Sequence, residues 1–306
     1  MVIDSPLFKS EYPFKSNFLD LNGLAYHYID EGKGAPVVML HGNPSWSFYY
    51  RNLARQLSKR HRVIVPDHIG CGLSMKPADS LYQYHLKQRV DDLERLIDHL
   101  QLPEKITLVV HDWGGMIGMA WAIRHPQRLA RLVLMNTAAF HLPAGKKLPP
   151  ALKICRDTQF GAFLVQGFNL FARAAAKIGC QRNPMPAELR QLYCSPYDNW
   201  QHRIATLRFV QDIPLQPEDP SYTLVGEVEK GLAQFSQIPV CILWGEKDFV
   251  FDQQFLREWE KHFPQAEVHR FPDCGHYLLE DATEEIIPII RDFLRKYPPE
   301  KNHTTS

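Results

Sequence analysis

The sequence predicts an α/β protein in which a mostly parallel central sheet is flanked by helices and interrupted by an inserted helical cap. Short apolar segments alternate with amphipathic segments as far as Met135, which indicates parallel strands joined by crossover helices. From Thr137 to about Pro220 no buried strand is evident, and the strand pattern resumes at Val240. We therefore divide the chain into a first core segment (1–137), a cap (138–220) and a second core segment (221–306).

The first core segment alternates strands and helices. Residues 24–29 alternate in polarity and predict an antiparallel strand that ends at the turn Glu31-Gly32-Lys33-Gly34. Continuous apolar runs predict buried strands at 36–40, 62–65, 106–110 and 132–135. Apolar residues at helical spacing predict helices at 47–59, 84–100 and 116–124.

The remaining chain begins with helices and returns to strands. Helical periodicity and Pro-containing loops predict helices at 148–156, 160–177, 186–193 and 200–210. Two further strands, 240–244 and 267–271, continue the sheet, and a helix at 283–296 closes the chain. An insertion at this point should lie over the carboxyl ends of the strands, where open α/β sheets bind ligands.

Residues 108–115, Leu-Val-Val-His-Asp-Trp-Gly-Gly, contain the central chemical motif. A β-branched run that stops at a polar residue and two glycines before a helix is typical of a nucleophile elbow, which here raises Asp112. A carboxylate is already ionised at neutral pH and needs no base before it attacks. Its attack on a saturated carbon gives an ordinary ester, whereas attack on an ester carbonyl gives an energetic anhydride. We therefore predict an sp3 electrophile; the alternative is that Asp112 only caps the following helix.

Asp248 and His276 also follow predicted strands and complete a candidate catalytic set with Asp112. A histidine is needed because water must be activated to break a covalent alkyl ester, and a carboxylate orients the ring and stabilises its protonated form. A surface role is the ordinary expectation for any one of the 14 histidines. The Gly-containing loop after the last strand singles out His276.

Asn43 and Trp113 are candidate donors to charge that develops on a leaving group. Asn43 follows a strand end in a Gly/Pro turn, so that its side-chain amide could donate into the cavity; the alternative is an Asn that merely suits the turn. Trp113 follows the candidate nucleophile, and its indole N–H only donates. Core packing is the alternative role for Trp113.

Composition excludes several classes of protein. With 35 basic and 34 acidic residues, no net field attracts nucleic acid. The N-terminus does not resemble a signal peptide, and the six cysteines lack metal-ligand spacing, so we expect a cytoplasmic protein with free thiols and no metal or cofactor. Residues 160–176 are apolar but too short and too polar for a transmembrane segment. We expect the tail, 297–306, to be disordered.

The motifs at 41–50 (HGNPSWSFYY), 66–72 (PDHIGCG) and 110–115 (VHDWGG) resemble the α/β-hydrolases of the haloalkane dehalogenase type, particularly their third subgroup. The resemblance runs from about Pro13 to Leu294. It implies an α/β-hydrolase fold with Asp112 as nucleophile, His276 as base, and Asn43 with Trp113 as leaving-group donors. Some relatives carry the catalytic acid after the strand that precedes the cap. That position here is Asn136, so Asp248 takes the role.

The chain also resembles the β-lactone decarboxylases of bacterial long-chain olefin biosynthesis, including in the cap stretches 195–200 and 208–214. This resemblance implies a small apolar substrate, a cis-3,4-dialkyl β-lactone, and assembly with other olefin-pathway enzymes. The strained ring has an sp3 C4 with a carboxylate leaving group, which suits Asp112. Inversion at C4 followed by anti elimination of CO2 would give a cis-alkene without water; attack at the lactone carbonyl stays an alternative.

Three other functions remain open from the sequence. A haloalkane dehalogenase would use His276 to activate water and would release an alcohol and a halide. An epoxide hydrolase would share the Asp-Trp-Gly-Gly elbow and would need cap tyrosines, for which the candidates are Tyr193, Tyr197 and Tyr222. A non-catalytic scaffold would retain only the fold, and the intact Asp/Asp/His set argues against it.

The cap is predicted to contribute an apolar pocket. More apolar side chains occur in its second helical segment than one helix face needs, so some of them should line the substrate cavity. The candidates are Phe160, Phe163, Leu164, Phe168, Leu170 and Phe171. The alternative is a helix that is buried on all sides.

Overall fold

The computed structural model describes residues 5–102 and 105–299 of the chain. Residues 1–4, at the start of the segment that does not resemble a signal peptide, lie outside the described residues. Residues 300–306, which belong to the tail that we expect to be disordered, lie outside them as well.

A single eight-stranded sheet forms the centre of the molecule. Its strands are β1 (Asn17–Asp20), β2 (Ala25–Glu31), β3 (Pro36–Leu40), β4 (Arg62–Pro66), β5 (Ile106–Asp112), β6 (Leu129–Thr137), β7 (Val240–Gly245) and β8 (Glu267–Phe271). The strand order across the sheet is β1-β2-β4-β3-β5-β6-β7-β8. β2 pairs antiparallel with β1 and β4, and the other neighbours are parallel. The predicted mostly parallel sheet is therefore confirmed.

Helices cover both faces of the sheet. They are α1 (Pro6–Glu11), α2 (Arg51–Leu57), α3 (Leu86–His99), α4 (Trp113–Arg124), α5 (Pro150–Asp157), α6 (Gln159–Phe168), α7 (Leu170–Ile178), α8 (Ala187–Cys194), α9 (Ile204–Gln211), α10 (Tyr222–Gly231), α11 (Gln253–His262), α12 (Leu278–Asp281) and α13 (Thr283–Lys296). Short 3-10 turns occur at Ser47–Tyr50, Pro126–Arg128, Ser195–Tyr197, Gln201–Arg203 and Leu232–Phe235.

The sheet has a hydrophobic core on each face. Alternate residues of β3 point to opposite faces, so that Val38 and Leu40 join one core while Val37 and Met39 join the other. The first core contains side chains from α3, α4, α10 and α11, and the second contains side chains from α1, α2, α12 and α13. Every residue of β3, β5 and β7 is buried, as expected for strands covered on both sides.

The prediction of a single helix at 160–177 is wrong, because this segment forms two helices, α6 and α7. Asn169 lies between them in the left-handed conformation, with φ 52°, and its backbone N–H donates to the carbonyl of Leu164 within α6. Asparagine tolerates this conformation better than most residues do. The strand β1 and the helices α1, α10, α11 and α12 were not predicted.

Residues 138–239, all of which the structure describes, contain helices, turns and loops but no strand. Within them, α10 packs against α4 of the core, whereas α5 packs against α6 and α9. Among the described residues, no helix has the length and apolar character that crossing a membrane requires.

Candidate active site

The sharp turn between β5 and α4 places Asp112 at the centre of the site. Asp112 has φ 51° and ψ −128°, a conformation that L side chains rarely adopt, and α4 begins at the next residue. A Cβ atom added to Gly114 would lie 2.0 Å from the carbonyl oxygen of Leu40, so this position needs glycine for α4 to approach β3. The turn therefore has the geometry of the predicted elbow.

The Asp112 carboxylate is buried and is held by the loop after β3. The backbone N–H of Asn43 donates to its Oδ1 atom at 2.6 Å. Burial raises the pKa of the Asp112 carboxyl, and the nearby His276 and the backbone N–H groups of Asn43 and Trp113 oppose that rise. The loop also crowds the carboxylate, since a Cβ atom added to Gly42 would lie 1.9 Å from Oδ1. Backbone contacts thus fix where the carboxylate points.

His276 lies in the loop after β8 and connects the two carboxylates. Its Nδ1 atom is 2.7 Å from Oδ2 of Asp248, and its Nε2 atom is 3.8 Å from Oδ2 of Asp112. Burial alone would lower the pKa of His276, but the charge and hydrogen bond of Asp248, together with the charge of Asp112, raise it above its usual 6.5. The two carboxylates therefore favour the protonated form of the His276 ring.

Asp248 is oriented by its own loop. Its Oδ1 atom accepts hydrogen bonds from the backbone N–H groups of Val250 at 2.8 Å and Phe251 at 3.1 Å, which leaves Oδ2 for His276. Asn136, at the position where some relatives carry their acid, has other partners in this chain. Its amide donates to the carbonyl of Gly245 at 2.9 Å and accepts from the N–H of the same residue at 2.8 Å, so it joins the ends of β6 and β7.

A second histidine, His111, contacts the loop that carries His276. This role was not predicted from the sequence. Its Nε2 atom donates to the backbone carbonyl of His276 at 2.8 Å, and its ring stacks on Tyr49 at 4.4 Å. Burial and the neighbouring His276 hold the pKa of His111 well below its usual value, so the ring is neutral. Its position beside Asp112 on β5 was visible in the sequence, but its partner in a distant loop was not.

Asn43 and Trp113 both line the cavity beside Asp112. The Asn43 amide donates one hydrogen bond to the backbone carbonyl of Thr206 on α9, at 3.1 Å. An amide has two N–H bonds, so a second donor remains. The sequence predicted a role for the Asn43 side chain alone, whereas its backbone N–H is the group that contacts Asp112.

A cavity of about 300 Å³ opens above Asp112 and His276. Its wall is mainly apolar and combines side chains from α5, α7, the 210–214 segment and the 249–255 segment. Leu170 and Phe171 lie on this wall. The predictions for Phe160, Phe163 and Phe168 are wrong, since none of these three side chains lines the cavity and all three are exposed to solvent. The break at Asn169 turns α7, but not α6, toward the cavity.

The chain belongs to the alpha/beta hydrolase fold family, whose model matches residues 35–283. It is 58% identical over 282 residues to the cis-3-alkyl-4-alkyloxetan-2-one decarboxylase of Shewanella oneidensis, an alignment that covers 92% of this chain and 89% of the relative. It is 48% identical over 295 residues to the protein of the same name from Xanthomonas campestris pv. campestris, covering 94% and 98%. The predicted resemblance to the decarboxylases is confirmed.

Haloalkane dehalogenases are more distant relatives. Haloalkane dehalogenase 2 of Mycobacterium tuberculosis is 30% identical over 280 residues, which covers 91% of this chain and 94% of the relative. The crystal structure of haloalkane dehalogenase DatA from Agrobacterium tumefaciens C58 superposes with a TM-score of 0.82 at 25% identity, covering 92% and 97% of the two chains. These matches confirm the predicted fold and the resemblance to the dehalogenase type.

Proposed function

We propose that this chain is a decarboxylase of cis-3,4-dialkyl β-lactones (oxetan-2-ones) that releases CO2 and a cis-alkene in long-chain olefin biosynthesis. The observation that carries the proposal is the position of Asp112, a buried carboxylate raised on a strand-to-helix turn at the base of an apolar cavity. The 58% identity to a relative named for this reaction supports the choice of substrate.

In the first step Asp112 attacks C4 of the lactone ring. An oxygen–C4 bond to Asp112 forms, the ring oxygen–C4 bond breaks with inversion, and the electron pair goes to the released carboxylate. Burial favours this attack because an ionised Asp112 in an apolar cavity lacks the water shell that would weaken its nucleophilicity. The product of the step is an alkyl ester of Asp112 that carries a free β-carboxylate.

In the second step the ester collapses to the alkene. The bond from C3 to the carboxylate breaks, its electron pair forms the C3–C4 double bond, and Asp112 leaves with the electrons of its bond to C4. Anti elimination after one inversion gives the cis-alkene and CO2, and it restores the free Asp112 carboxylate without consuming water. Attack at the lactone carbonyl is the alternative first step.

His276 and Asp248 serve this route mainly through charge. The raised pKa of His276 favours its imidazolium form, which Asp248 holds with the Nε2 atom 3.8 Å from the carboxylate of Asp112. A positive charge there stabilises Asp112 as it leaves the substrate. The free N–H of the Asn43 amide and the indole N–H of Trp113 are the neutral donors that we assign to the carboxylate released from the ring.

We further propose that residues 138–220 form a cap over the cavity. The contributions of α5, α7 and residues 210–214 to the cavity wall support this boundary, as does the packing of α10 on the core. All six cysteines are free, which supports a reducing cytoplasmic location. Assembly with other enzymes of the olefin pathway remains a prediction.

Dehalogenation is the second candidate function, because the same Asp112, His276 and Asp248 arrangement would serve it and relatives at 30% identity are named haloalkane dehalogenases. Epoxide hydrolysis is less well supported. The hydroxyl groups of Tyr193 and Tyr197 bond to Glu280 and to the carbonyl of Ser45, and Tyr222 stacks on His141. None of these three tyrosines is on the wall of the cavity, as far as the structure describes it.

Incubation of the purified protein with substrates of both kinds tests the proposal. One sample receives a cis-3,4-dialkyl β-lactone and the others receive a 1-bromoalkane or a 1-iodoalkane, with alkene and alcohol measured by gas chromatography and halide measured in solution. We expect alkene from the lactone, at a rate that Asp112→Asn abolishes. Alcohol and halide from the haloalkanes, without alkene from the lactone, would establish the dehalogenase instead.

A further inference from the structure

The outer surface of the cap carries three large aromatic side chains that the catalytic site does not use. Phe163, Phe168 and Trp200 are 49%, 57% and 48% exposed. Their rings contact one another, with centroid distances of 5.6 Å between Phe163 and Phe168 and 6.1 Å between Phe163 and Trp200. We call these three residues the aromatic cluster. Contiguous exposed apolar groups of this kind mark surfaces that contact something else.

The aromatic cluster adjoins the rim of the substrate cavity. Leu170 and Ile178 line the cavity and are also 43% and 44% exposed, which places this edge of α7 at the rim. Only Asn169 separates Phe168 of the cluster from Leu170. A surface that covered the aromatic cluster would therefore meet the mouth of the cavity.

Positive charges lie beside the same rim. At about 100° per residue, Leu170, Arg173 and Lys177 lie within roughly 60° of one another around α7. Arg173 and Lys177 are exposed, and they form no ion pair with the residues that the structure describes. Neither residue contributes to the wall of the cavity.

Arg173 and Lys177 continue into a cationic groove that Phe168 also lines. Arg190 and Arg203 extend this groove, although both donate to backbone carbonyls. Among the described residues of its wall the one carboxylate is Asp198, whose Oδ1 atom is 2.6 Å from Nδ1 of His202. The groove therefore has an excess of positive charge next to exposed aromatic rings.

We propose that this face of the cap docks on the surface of an anionic lipid bilayer. Aromatic side chains favour the depth of the headgroups, and lysine and arginine are attracted to anionic headgroups above it. The inference rests on the proposed function in one respect: a long-chain β-lactone partitions into lipid, and a docked rim receives it from there. The positive charges of Arg173 and Lys177 favour an anionic bilayer as the partner. A second copy of the chain on this face would instead bring like charges together.

Co-sedimentation with lipid vesicles tests the docking surface without any substrate. The vesicles contain phosphatidylcholine alone or phosphatidylcholine with phosphatidylglycerol. One variant is Arg173→Gln with Lys177→Gln, and a second is Phe168→Ser with Trp200→Ser. The matched control removes two exposed arginines from α13, neither of which lines the groove beside the aromatic cluster, by Arg291→Gln with Arg295→Gln.

We expect the wild type and the α13 control to bind the anionic vesicles, and the charge variant to bind them roughly 25-fold more weakly, at about fivefold for each charge. The aromatic variant should bind weakly to both kinds of vesicle. Equal binding by all the proteins, or no binding by the wild type, would overturn the proposal. A wild-type dimer that the aromatic variant dissociates, without vesicle binding, would identify a second copy as the occupant.

Activity measurements separate this inference from the proposed function. Both cap variants should turn over a short-chain, water-soluble β-lactone like the wild type and lose rate only on a long-chain lactone supplied in vesicles. If no lactone is a substrate but the vesicle results hold, the proposed function fails and the docking surface stands.

Discussion

Oδ2 of Asp112 lies 3.8 Å from Nε2 of His276, beyond hydrogen-bonding distance, while the opposite nitrogen of the same ring is 2.7 Å from Asp248. The imidazole is thus hydrogen-bonded to Asp248 and not to Asp112, the nucleophile that we propose. Asp112 keeps this oxygen available for an electrophile in the cavity, and His276 is near enough to influence its charge.

Replacing the nucleophile tests the assignment of Asp112 directly. We expect Asp112→Asn to reduce turnover by at least about 10⁴-fold, because the amide fits the turn but does not attack. The pKa of Asp112 is raised, which means that its ionised form disfavours folding, so the variant should be as stable as the wild type or more stable. Steady-state kinetics and thermal melts measure both effects. Wild-type activity, once mass spectrometry excludes deamidation, would refute the assignment.

Removing His276 distinguishes the two leading reactions. With a haloalkane, His276→Ala should trap an alkyl ester on Asp112, since hydrolysis of that ester needs base-activated water. With the β-lactone, cis-alkene should still form, more slowly, because elimination cleaves the ester without water. Intact-protein mass spectrometry and gas chromatography report the adduct and the alkene. A stable lactone-derived adduct with no alkene would contradict elimination.

Asp248→Asn should lower the pKa of His276 and change how stability depends on pH. In the wild type, the raised pKa of His276 stabilises the fold below the unfolded value of about 6.5, and this contribution is lost as pH rises through the folded value. In the variant this stabilisation is smaller, because only the charge of Asp112 still opposes the effect of burial on the pKa of His276. The stability difference should therefore be largest in acid and shrink as pH rises, as measured by denaturant titrations at several pH values. A constant difference would show that the two groups are not coupled.

Gly42→Ala should displace the carboxylate of Asp112 without replacing any of the proposed catalytic side chains. The new Cβ atom would lie 1.9 Å from Oδ1 of Asp112, so the carboxylate must move, and a shift of about 1 Å costs on the order of 100-fold in rate. Gly167→Ala is the matched control, because its new Cβ atom would meet only ordinary contacts at 3.5 Å or more. Comparable rates for the two variants would mean that the loop after β3 moves to accommodate the new methyl group and that Asp112 keeps its position.

Some relatives carry their catalytic acid at the position of Asn136. We expect that an acid at this position does not replace Asp248 in this chain. Asn136→Asp removes the amide donor to the carbonyl of Gly245, which should destabilise the fold by about 1–3 kcal/mol. In an Asp248→Asn background the same change should restore no activity, because Asn136 is held at β7. Thermal melts and kinetics of the single and double variants measure this. Recovery of activity in the double variant would show that the site accepts an acid from either strand.

The sequence predicted the features that depend on local pattern. The β-branched run and glycines around Asp112 define the elbow by themselves, and the end-of-strand positions of Asp248 and His276 bring them together because parallel strands end at the same edge. The short edge strand β1 has no buried residue, and its two apolar residues, Phe18 and Leu19, are too few to define a strand pattern.

Features that depend on distant partners were not predictable in the same way. The left-handed Asn169 lies within an apolar run that supports a continuous helix, so the break depends on how α6 and α7 pack against each other and against their neighbours. Periodicity counts apolar side chains but does not tell which ones face outward, so Phe160, Phe163 and Phe168 were placed on the wrong surface. The role of Asn136 depended on its neighbour in β7, which lies more than 100 positions away in the sequence.

Asn43 connects two parts of the molecule within a single residue, since its backbone N–H donates to Asp112 and its side chain donates to the carbonyl of Thr206. The acceptor on α9 is a main-chain atom, so the contact places no requirement on which amino acid occupies position 206. The amino acid at position 206 can therefore change, or the proposed cap can be exchanged between relatives, while Asn43 still connects Asp112 to α9. What must be conserved in such a chimera is the path of the α9 backbone.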